Sequence, residues 1–352
     1  MQIGDIQLAP PFALAPMAGM TDTAFRRLVK RRGGCGLVVT EMVSSEGLVR
    51  GIDRTLEYAE YTEEERPVSI QIFGGNPATM TAAARIVEGL GADIVDVNMG
   101  CPVPKIAKHN AGCSLMREPS HAAAIIRSMS RAVRIPVTVK MRAGWDERDI
   151  NAPALARMME DAGAAAVAVH GRTAAQSYTG SSDWGLIDTV AAGVGIPVFG
   201  SGDCVTARQV VDRTTQTQVA GVLVGRGALR NPWIFQQSAA LAAGRPAREA
   251  TDADRGRFLL EYIDMLLREG LDEQQGFRHR ATAAAARTRH ARGRERWVIN
   301  KLRALGSWYT KGLHGGSNLR TAINRAESIG ELRDVIETFF LTPGVRGVAP
   351  SN

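Results

Sequence analysis

At 352 residues, with 45% hydrophobic side chains, the chain can bury a large core in one or two domains, and none of its apolar runs is long enough to span a bilayer. The opening Met-Gln-Ile-Gly-Asp-Ile lacks the basic and apolar segments of a secretory leader, so a cytoplasmic protein without membrane attachment is expected. Four cysteines with no CxxC pair and no Cys/His cluster at zinc-like spacing argue against disulfides and a structural metal, and Cys35 and Cys113, set among small residues, read as packing.

In chain order, short apolar or β-branched runs alternate with amphipathic stretches from residue 11 to residue 227. The runs are Phe12–Ala15, Leu37–Val39, Val68–Ile72, Ile94–Val97, Val137–Met141, Ala166–Val169, Pro197–Phe199 and Gly221–Val224. Helices are expected at Thr23–Arg32, Met80–Leu90, His121–Ala132, Pro153–Ala162 and Ala207–Arg213, with Gly33, Gly91 and Gly163 as terminators. Eight near-continuous apolar strands separated by helices predict an α/β protein built on a closed (β/α)₈ TIM barrel. The second unit is the irregular one, because Glu46–Glu65 does not read as one helix.

Beyond Trp233-Ile234-Phe235 the pattern changes. Residues 239–250 read as a linker, and 251–352 as a C-terminal all-α helical domain, with apolar stripes through Phe258, Leu259, Tyr262, Ile263, Leu266 and Leu267 and through Ile329, Leu332, Ile336 and Phe339. The barrel domain is accordingly placed at 1–238.

The net charge of +7 is concentrated in this second part: residues 1–240 carry 24 Lys/Arg against 23 Asp/Glu, and residues 241–352 carry 19 against 13. Between Arg278 and Arg303 nine basic residues face one acid, Glu295, with an Arg/Ala-rich stretch at 278–296. A solvated helix face or a disordered tail is the ordinary meaning of such a run. Here Trp297, Trp308 and Tyr309 follow it in an aromatic-poor chain, and cationic surface with stacking platforms is what a nucleic-acid partner requires.

In a (β/α)₈ barrel the chemistry sits at the C-terminal strand ends, which here form a polar ring. It comprises Pro16-Met17-Ala18, Glu41, Gln71, Asn98 with Cys101, Lys140 with Arg142, His170 with Arg172, Ser201-Gly202-Asp203, and Gly225-Arg226-Gly227. Any one could be a cap or a satisfied core group; eight polar ends together point to a ligand site. Burial of Lys140 within Val-Thr-Val-Lys-Met calls for an anionic partner. The glycines of the seventh and eighth ends can bring backbone N–H groups to a phosphate, with Arg226 adding charge, as a phosphorylated cofactor such as FMN would need. Cys101, directly after an apolar strand, can serve as an acid, a nucleophile or a ligand.

The series Pro16-Met17-Ala18-Gly19-Met20-Thr21-Asp22, Asp96-Val97-Asn98-Met99-Gly100-Cys101-Pro102, Val139-Lys140-Met141-Arg142, His170-Gly171-Arg172-Thr173, Gly202-Asp203, Gly225-Arg226-Gly227-Ala228 and Asn231-Pro232-Trp233 resembles the motifs of the bacterial tRNA-dihydrouridine synthases, nearest the B-type subgroup. The resemblance runs through the whole barrel and resumes at Trp308-Tyr309-Thr310-Lys311-Gly312. It implies an FMN enzyme that reduces the C5–C6 bond of uridine in tRNA, by family analogy in the D-loop, with NADPH as electron donor; separately, a monomer is expected. By position it implies that Pro16, Met17, Ala18, Gln71, Lys140, His170, Ser201, Gly202, Asp203, Gly225 and Arg226 hold the flavin. It further implies that Asn98, Arg142 and Arg172 meet the substrate and that Cys101 donates the proton to C5.

That last role is chemically coherent, since hydride delivered to C6 of a conjugated uracil leaves an enolate at C5 that a neutral thiol can protonate. The pattern breaks at Arg303-Ala304-Leu305, where the family carries a basic Arg-Lys-His stretch, and at the Arg/Ala-rich insertion before it. Two alternatives remain at this point: an FMN barrel oxidoreductase acting on a free pyrimidine, and a non-catalytic RNA-binding protein.

Overall fold

The computed structural model describes residues 1–107, 110–269, 271, 273–280 and 291–342. Most of the arginine-rich stretch's middle, including Arg287 and Arg289, and the end of the helical part beyond residue 342 lie outside the described residues.

The eight expected strands are present and all parallel: β1 (Phe12–Leu14), β2 (Leu37–Val39), β3 (Val68–Phe73), β4 (Ile94–Met99), β5 (Val137–Arg142), β6 (Ala166–His170), β7 (Val198–Ser201) and β8 (Gly221–Val224). Each pairs with its sequence neighbour, and β8 pairs with β1 through Val222↔Phe12 and Val224↔Leu14, which closes the ring. A two-residue strand, Val43–Ser44, adds to the end of β3.

Around the ring pack α1 (Thr23–Arg32), α2 (Pro77–Gly89), α3 (Pro119–Ser130), α4 (Ala152–Asp161), α5 (Trp184–Ala192) and α6 (Ala207–Gln216). Their starts follow capping chemistry: the Asp22 carboxylate accepts from Phe25 N at the head of α1, Asn76 caps α2 with Pro77 in the first turn, and Thr206 with Gln209 forms a capping box on α6. The second unit is broken, as its sequence suggests, into Ser45–Val49, Asp53–Ala59 and a 3₁₀ turn at Glu63–Glu65.

Two apolar clusters stabilise the barrel. The inner one joins Ala13, Leu37, Val39, Ile94, Phe199 and Leu223 to Ile3 and Leu8, so the hairpin Gln2–Ile3/Ile6–Gln7 plugs the N-terminal end of the ring. That hairpin was not foreseen, because two-residue strands carry no readable period. The outer cluster lies between strands and helices and continues without a break into the C-terminal helices.

Those helices are α7 (Arg226–Arg230), α8 (Ile234–Ala242), α9 (Asp252–Arg268), α10 (Ala291–Tyr309), α11 (Gly316–Arg325) and α12 (Ile329–Leu341). The expected linker at 239–250 is partly helical, since α8 runs on to Ala242 through good helix formers. Among the described residues of the C-terminal part the one strand is Arg278–His279, which pairs antiparallel with Tyr61–Thr62 on the barrel. Phe258 and Tyr262 of α9 meet Phe25 of α1 edge-on, with ring centres 6.1 and 6.2 Å apart. Among the described residues no helix is long and apolar enough to cross a membrane.

Candidate active site

Because the eight strands are parallel, their C-terminal ends share one mouth. In-register neighbours place Asn98 beside Lys140, and His170 beside both Arg142 and Ser201.

Cys101 sits in the loop after β4 and is half-buried, whereas Cys35, Cys113 and Cys204 are buried; all four thiols are free. Burial pushes the Cys35 and Cys204 thiols up to about 11 and about 12, in keeping with packing roles. The Cys101 turn is held from both sides: its N–H donates to Asn98 Oδ1 at 2.9 Å, and its carbonyl accepts from Cys113 N at 3.1 Å. Asn98 Oδ1 also accepts from Gly100 N at 3.1 Å, and Asn98 Nδ2 donates to Gln71 Oε1 at 2.7 Å. The Asn98 oxygen therefore already has two partners within the chain.

Lys140 has no hydrogen-bond or ion-pair partner among the described residues. Burial and the neighbouring Arg142 charge pull its ammonium down to about 8, against the opposing fields of Asp96 and Cys101. Burial, with Lys140, Arg142, Arg172 and Arg226 around it, holds His170 far below its ordinary value, so the imidazole is neutral. Arg172 Nη1 lies 3.3 Å from His170 Nε2; as arginine can only donate, this nitrogen accepts and the proton resides on Nδ1.

Arg142 and Arg172 are 3% and 2% exposed, and their guanidinium groups are largely committed to loops. Arg142 donates to the carbonyls of Gly100, Thr173 and Ser177, at 2.8, 2.9 and 2.9 Å. Arg172 donates to the carbonyls of Thr179 and Gly180 and bridges to both Asp203 oxygens at 2.8 Å. Together they fix the loop after β6 and hold Tyr178 out in solvent, 60% exposed, with the Arg226 guanidinium 4.8 Å from its ring centre. Tyr178 was missed in the sequence; its signal is a single aromatic in the polar run Gln176-Ser177-Tyr178-Thr179-Gly180.

Asp203 is the hub of the seventh end. Its carboxylate accepts from Ser182 N at 2.7 Å as well as from Arg172, and Arg226 lies 3.5 Å away; these outweigh partial burial and hold it below the usual carboxylate range. Gly202 has φ +130°, and a Cβ there would fall 2.2 Å from Ser182 Oγ, so no other residue fits. Ser201 carries the strand end, its carbonyl accepting from Ser182 Oγ. At the eighth end Gly225 faces the first loop, where a Cβ would be 3.5 Å from Met17 Sδ.

The first loop is a tight turn. Met17 O accepts from Met20 N and Thr21 N, Ala18 is exposed, and Pro16 approaches Lys140 across a small interior cavity. Gly19 N donates to Glu41 at 2.6 Å. Every expected site residue thus lies at one mouth. The direct bonds form two groups, Gln71 with Asn98 and Cys101, and His170 with Arg172, Asp203 and Arg226.

The aromatic residues of the helical part divide. Tyr309 is fully buried, stacked at 5.8 Å on Phe258 with its hydroxyl on Arg255 O, so it is a core residue and no stacking platform. Trp308 is half-buried beside the mouth, with Lys311 Nζ 3.9 Å and the Arg226 guanidinium 6.0 Å from its ring. At the site of the broken motif, Arg303 donates to Ala326 O at the end of α11, and Leu305 is buried. No group of three or more potential metal ligands occurs among the described residues.

A closed parallel barrel with a cationic mouth is the architecture of barrel enzymes whose chemistry lies at the strand ends. Morphinone reductase shares the fold, with a TM-score of 0.51 and 12% identity over 71% of this chain and 90% of that one. Residues 13–340 match the family described as dihydrouridine synthase (Dus), and the chain belongs to that family, an oxidoreductase group that modifies tRNA. A protein of Rhodobacter capsulatus named probable tRNA-dihydrouridine synthase is 44% identical over 76% of this chain and 83% of its own length. The tRNA-dihydrouridine synthase B of Xanthomonas axonopodis pv. citri is 37% identical over 93% and 92%.

Proposed function

We propose that the protein is an FMN-dependent tRNA-dihydrouridine synthase that reduces the C5–C6 bond of uridines in tRNA, in the D-loop, with NADPH as electron donor. The observation that carries this reading is the Cys101 turn, fixed by Asn98 at a mouth where the Lys140 ammonium has no partner of its own.

The donor set fits a phosphorylated, electron-accepting cofactor. Four cations, Lys140, Arg142, Arg172 and Arg226, surround the neutral His170; Asp203 is the anion beside them, and Asp96, whose proton affinity burial raises, lies beneath Lys140. Arg226 with the bare backbone at Gly202 and Gly225 would hold the phosphate, and Pro16, Met17, Ala18, Gln71, His170 and Ser201 the rest of the flavin. Bound there, FMN would supply the hydride for C6 of the uracil.

Cys101 then gives its proton to C5 and takes a replacement from solvent, so the thiol must be neutral when the substrate arrives. Lys140 offsets negative charge that develops beside it. Asn98 holds the Cys101 turn with its oxygen, and its second amide N–H, which faces Met42 Sδ at 3.9 Å, is the one left to offer the base. The committed donors of Arg142 and Arg172 favour a role in holding the loops that enclose the base, with Tyr178 on their outer side. Extruding a uridine from folded tRNA costs a few kcal/mol, which the basic C-terminal helices would help to offset.

The test uses the purified protein. A flavin absorption spectrum, NADPH oxidation and dihydrouridine appearing in tRNA lacking it are expected, and Cys101→Ala should keep the flavin while losing about 100-fold or more in dihydrouridine formation. Turnover of free uracil without RNA, or full activity of the variant, would refute the reading.

A further inference from the structure

Four buried side chains on three adjacent strands form one directional chain beneath the Cys101 turn. Gln71 of β3 and Thr138 of β5 are the register partners of Asp96 on β4, and Asn98 follows two residues on, facing the same side of the strand. Gln71, Asp96, Asn98 and Thr138 are 1%, 6%, 8% and 8% exposed. Thr138 Oγ1 donates to one Asp96 oxygen at 2.6 Å and Gln71 Nε2 to the other at 2.7 Å. Gln71 Oε1 accepts from Asn98, whose Oδ1 accepts the N–H groups of Gly100 and Cys101.

The two ends of this chain dictate its direction. Backbone N–H groups can only donate, which turns the Asn98 oxygen to the turn and its N–H to Gln71, and the Asp96 oxygen, on a carboxyl whose proton affinity burial raises, receives the Gln71 N–H; each amide between them has a single allowed orientation. Turning either amide over would set donor against donor in a buried place, where an unmade hydrogen bond is most costly. The acceptor at Asp96 is therefore felt, through Gln71 and Asn98, at the backbone of Cys101.

We propose that Asp96 is a positioning residue for Cys101: as the terminal acceptor of this chain it fixes the amides of Gln71 and Asn98 and thereby the place of the proton-donating thiol. The assignment rests on the function proposed above for its catalytic readout. It adds that the flavin-side residue Gln71 and the acid loop are mechanically one unit.

Position and charge can be separated by two conservative variants of the FMN-loaded protein. Asp96→Asn has the same shape: its Oδ1 can accept from Gln71 and its Nδ2 can donate to the Thr138 hydroxyl, which rotates to accept, so the chain survives without the charge. Asp96→Glu keeps the charge but displaces the acceptor by one methylene. Asp96→Asn should lose less kcat than Asp96→Glu, its loss coming only through Lys140, whose charge the Asp96 field supports, and Asp96→Glu should fall by about 100-fold with the KM for tRNA little changed, the loss expected for a reacting group displaced by roughly 1 Å.

The rate of Cys101 alkylation by iodoacetamide, followed by mass spectrometry, should track the same order: parental in Asp96→Asn and altered several-fold in Asp96→Glu. If Asp96→Glu does not fold, Asp96→Ala serves with the same expectation. The reverse order, with Asp96→Asn the impaired variant, would assign the effect to charge and overturn the proposal, as would parental alkylation and kcat in both. The alkylation arm needs no RNA, so a protein that forms no dihydrouridine would refute the proposed function while leaving Asp96 still testable.

Discussion

The Lys301 ammonium of α10 lies 2.9 Å from the Asp22 carboxylate that caps α1. Lys301 also donates to Gly19 O at 2.9 Å and stands 3.6 Å from Glu41, while Tyr262 of α9 donates to the same Asp22 at 2.8 Å. Two helices of the C-terminal part thus grip the loop that carries Pro16, Met17 and Ala18. Burial opposes the charge on Lys301, but Asp22 and Glu41 outweigh it and raise its affinity for the proton.

Lys301→Met should therefore destabilise the protein by about 3 kcal/mol, because it leaves Asp22 and Glu41 without their cation. Urea denaturation measures this. The same variant should bind FMN more weakly while Cys101 alkylates at the parental rate, since the Cys101 turn hangs on Asn98 and Cys113 instead.

Lys140 gives a pH signature. Its ammonium is held down to about 8, so in the ligand-free protein it discharges as pH rises through that value. FMN affinity, measured by flavin fluorescence, should weaken above about pH 8 in the parent. Lys140→Arg, which stays charged, should flatten this limb, and Lys140→Met should bind weakly at every pH; a flat parental profile would contradict the assignment.

His170 affects stability on the acid side. Its folded value lies far below the ordinary 6.5, so as pH falls below 6.5 the unfolded chain takes up a proton that the native state refuses. Stability is fully present above 6.5 and declines as pH drops, by about 2 kcal/mol between pH 7 and pH 5 from this group alone. His170→Gln should remove that increment, read as a smaller difference between urea midpoints at the two pH values.

Tyr309→Phe deletes the hydroxyl that donates to Arg255 O within the core. A cost of about 1 kcal/mol in stability is expected, with tRNA affinity unchanged by filter binding. A selective loss of tRNA binding would restore the surface role that the sequence suggested.

The barrel was legible because parallel strands covered on both faces read as apolar runs, and all eight appear where those runs lie. Helix starts were less so: Asn76-Pro77 and Pro119 begin α2 and α3 before the first apolar residue that a periodic reading detects. Tyr309 was misjudged from its basic neighbours, although Val298, Leu302, Leu305 and Tyr309 recur at helical spacing and are all buried. The members of the site were visible one by one as polar strand ends. Their connections were not, because Gln71, Asp96, Asn98 and Thr138 meet across three strands, and Lys301 reaches Asp22 from the far end of the chain.

The unbroken apolar cluster from barrel to C-terminal helices bears on how such enzymes can diversify. Phe258 and Tyr262 are packed on Phe25, and Tyr309 stacks on Phe258, so the helical part cannot be lifted off as a cassette without opening the outer layer of the barrel. A chimera of two such family members would have to exchange α1 along with the helices. The graft boundary is then set by shared packing, and residues 243–251, which look like the natural seam, are the wrong place to cut.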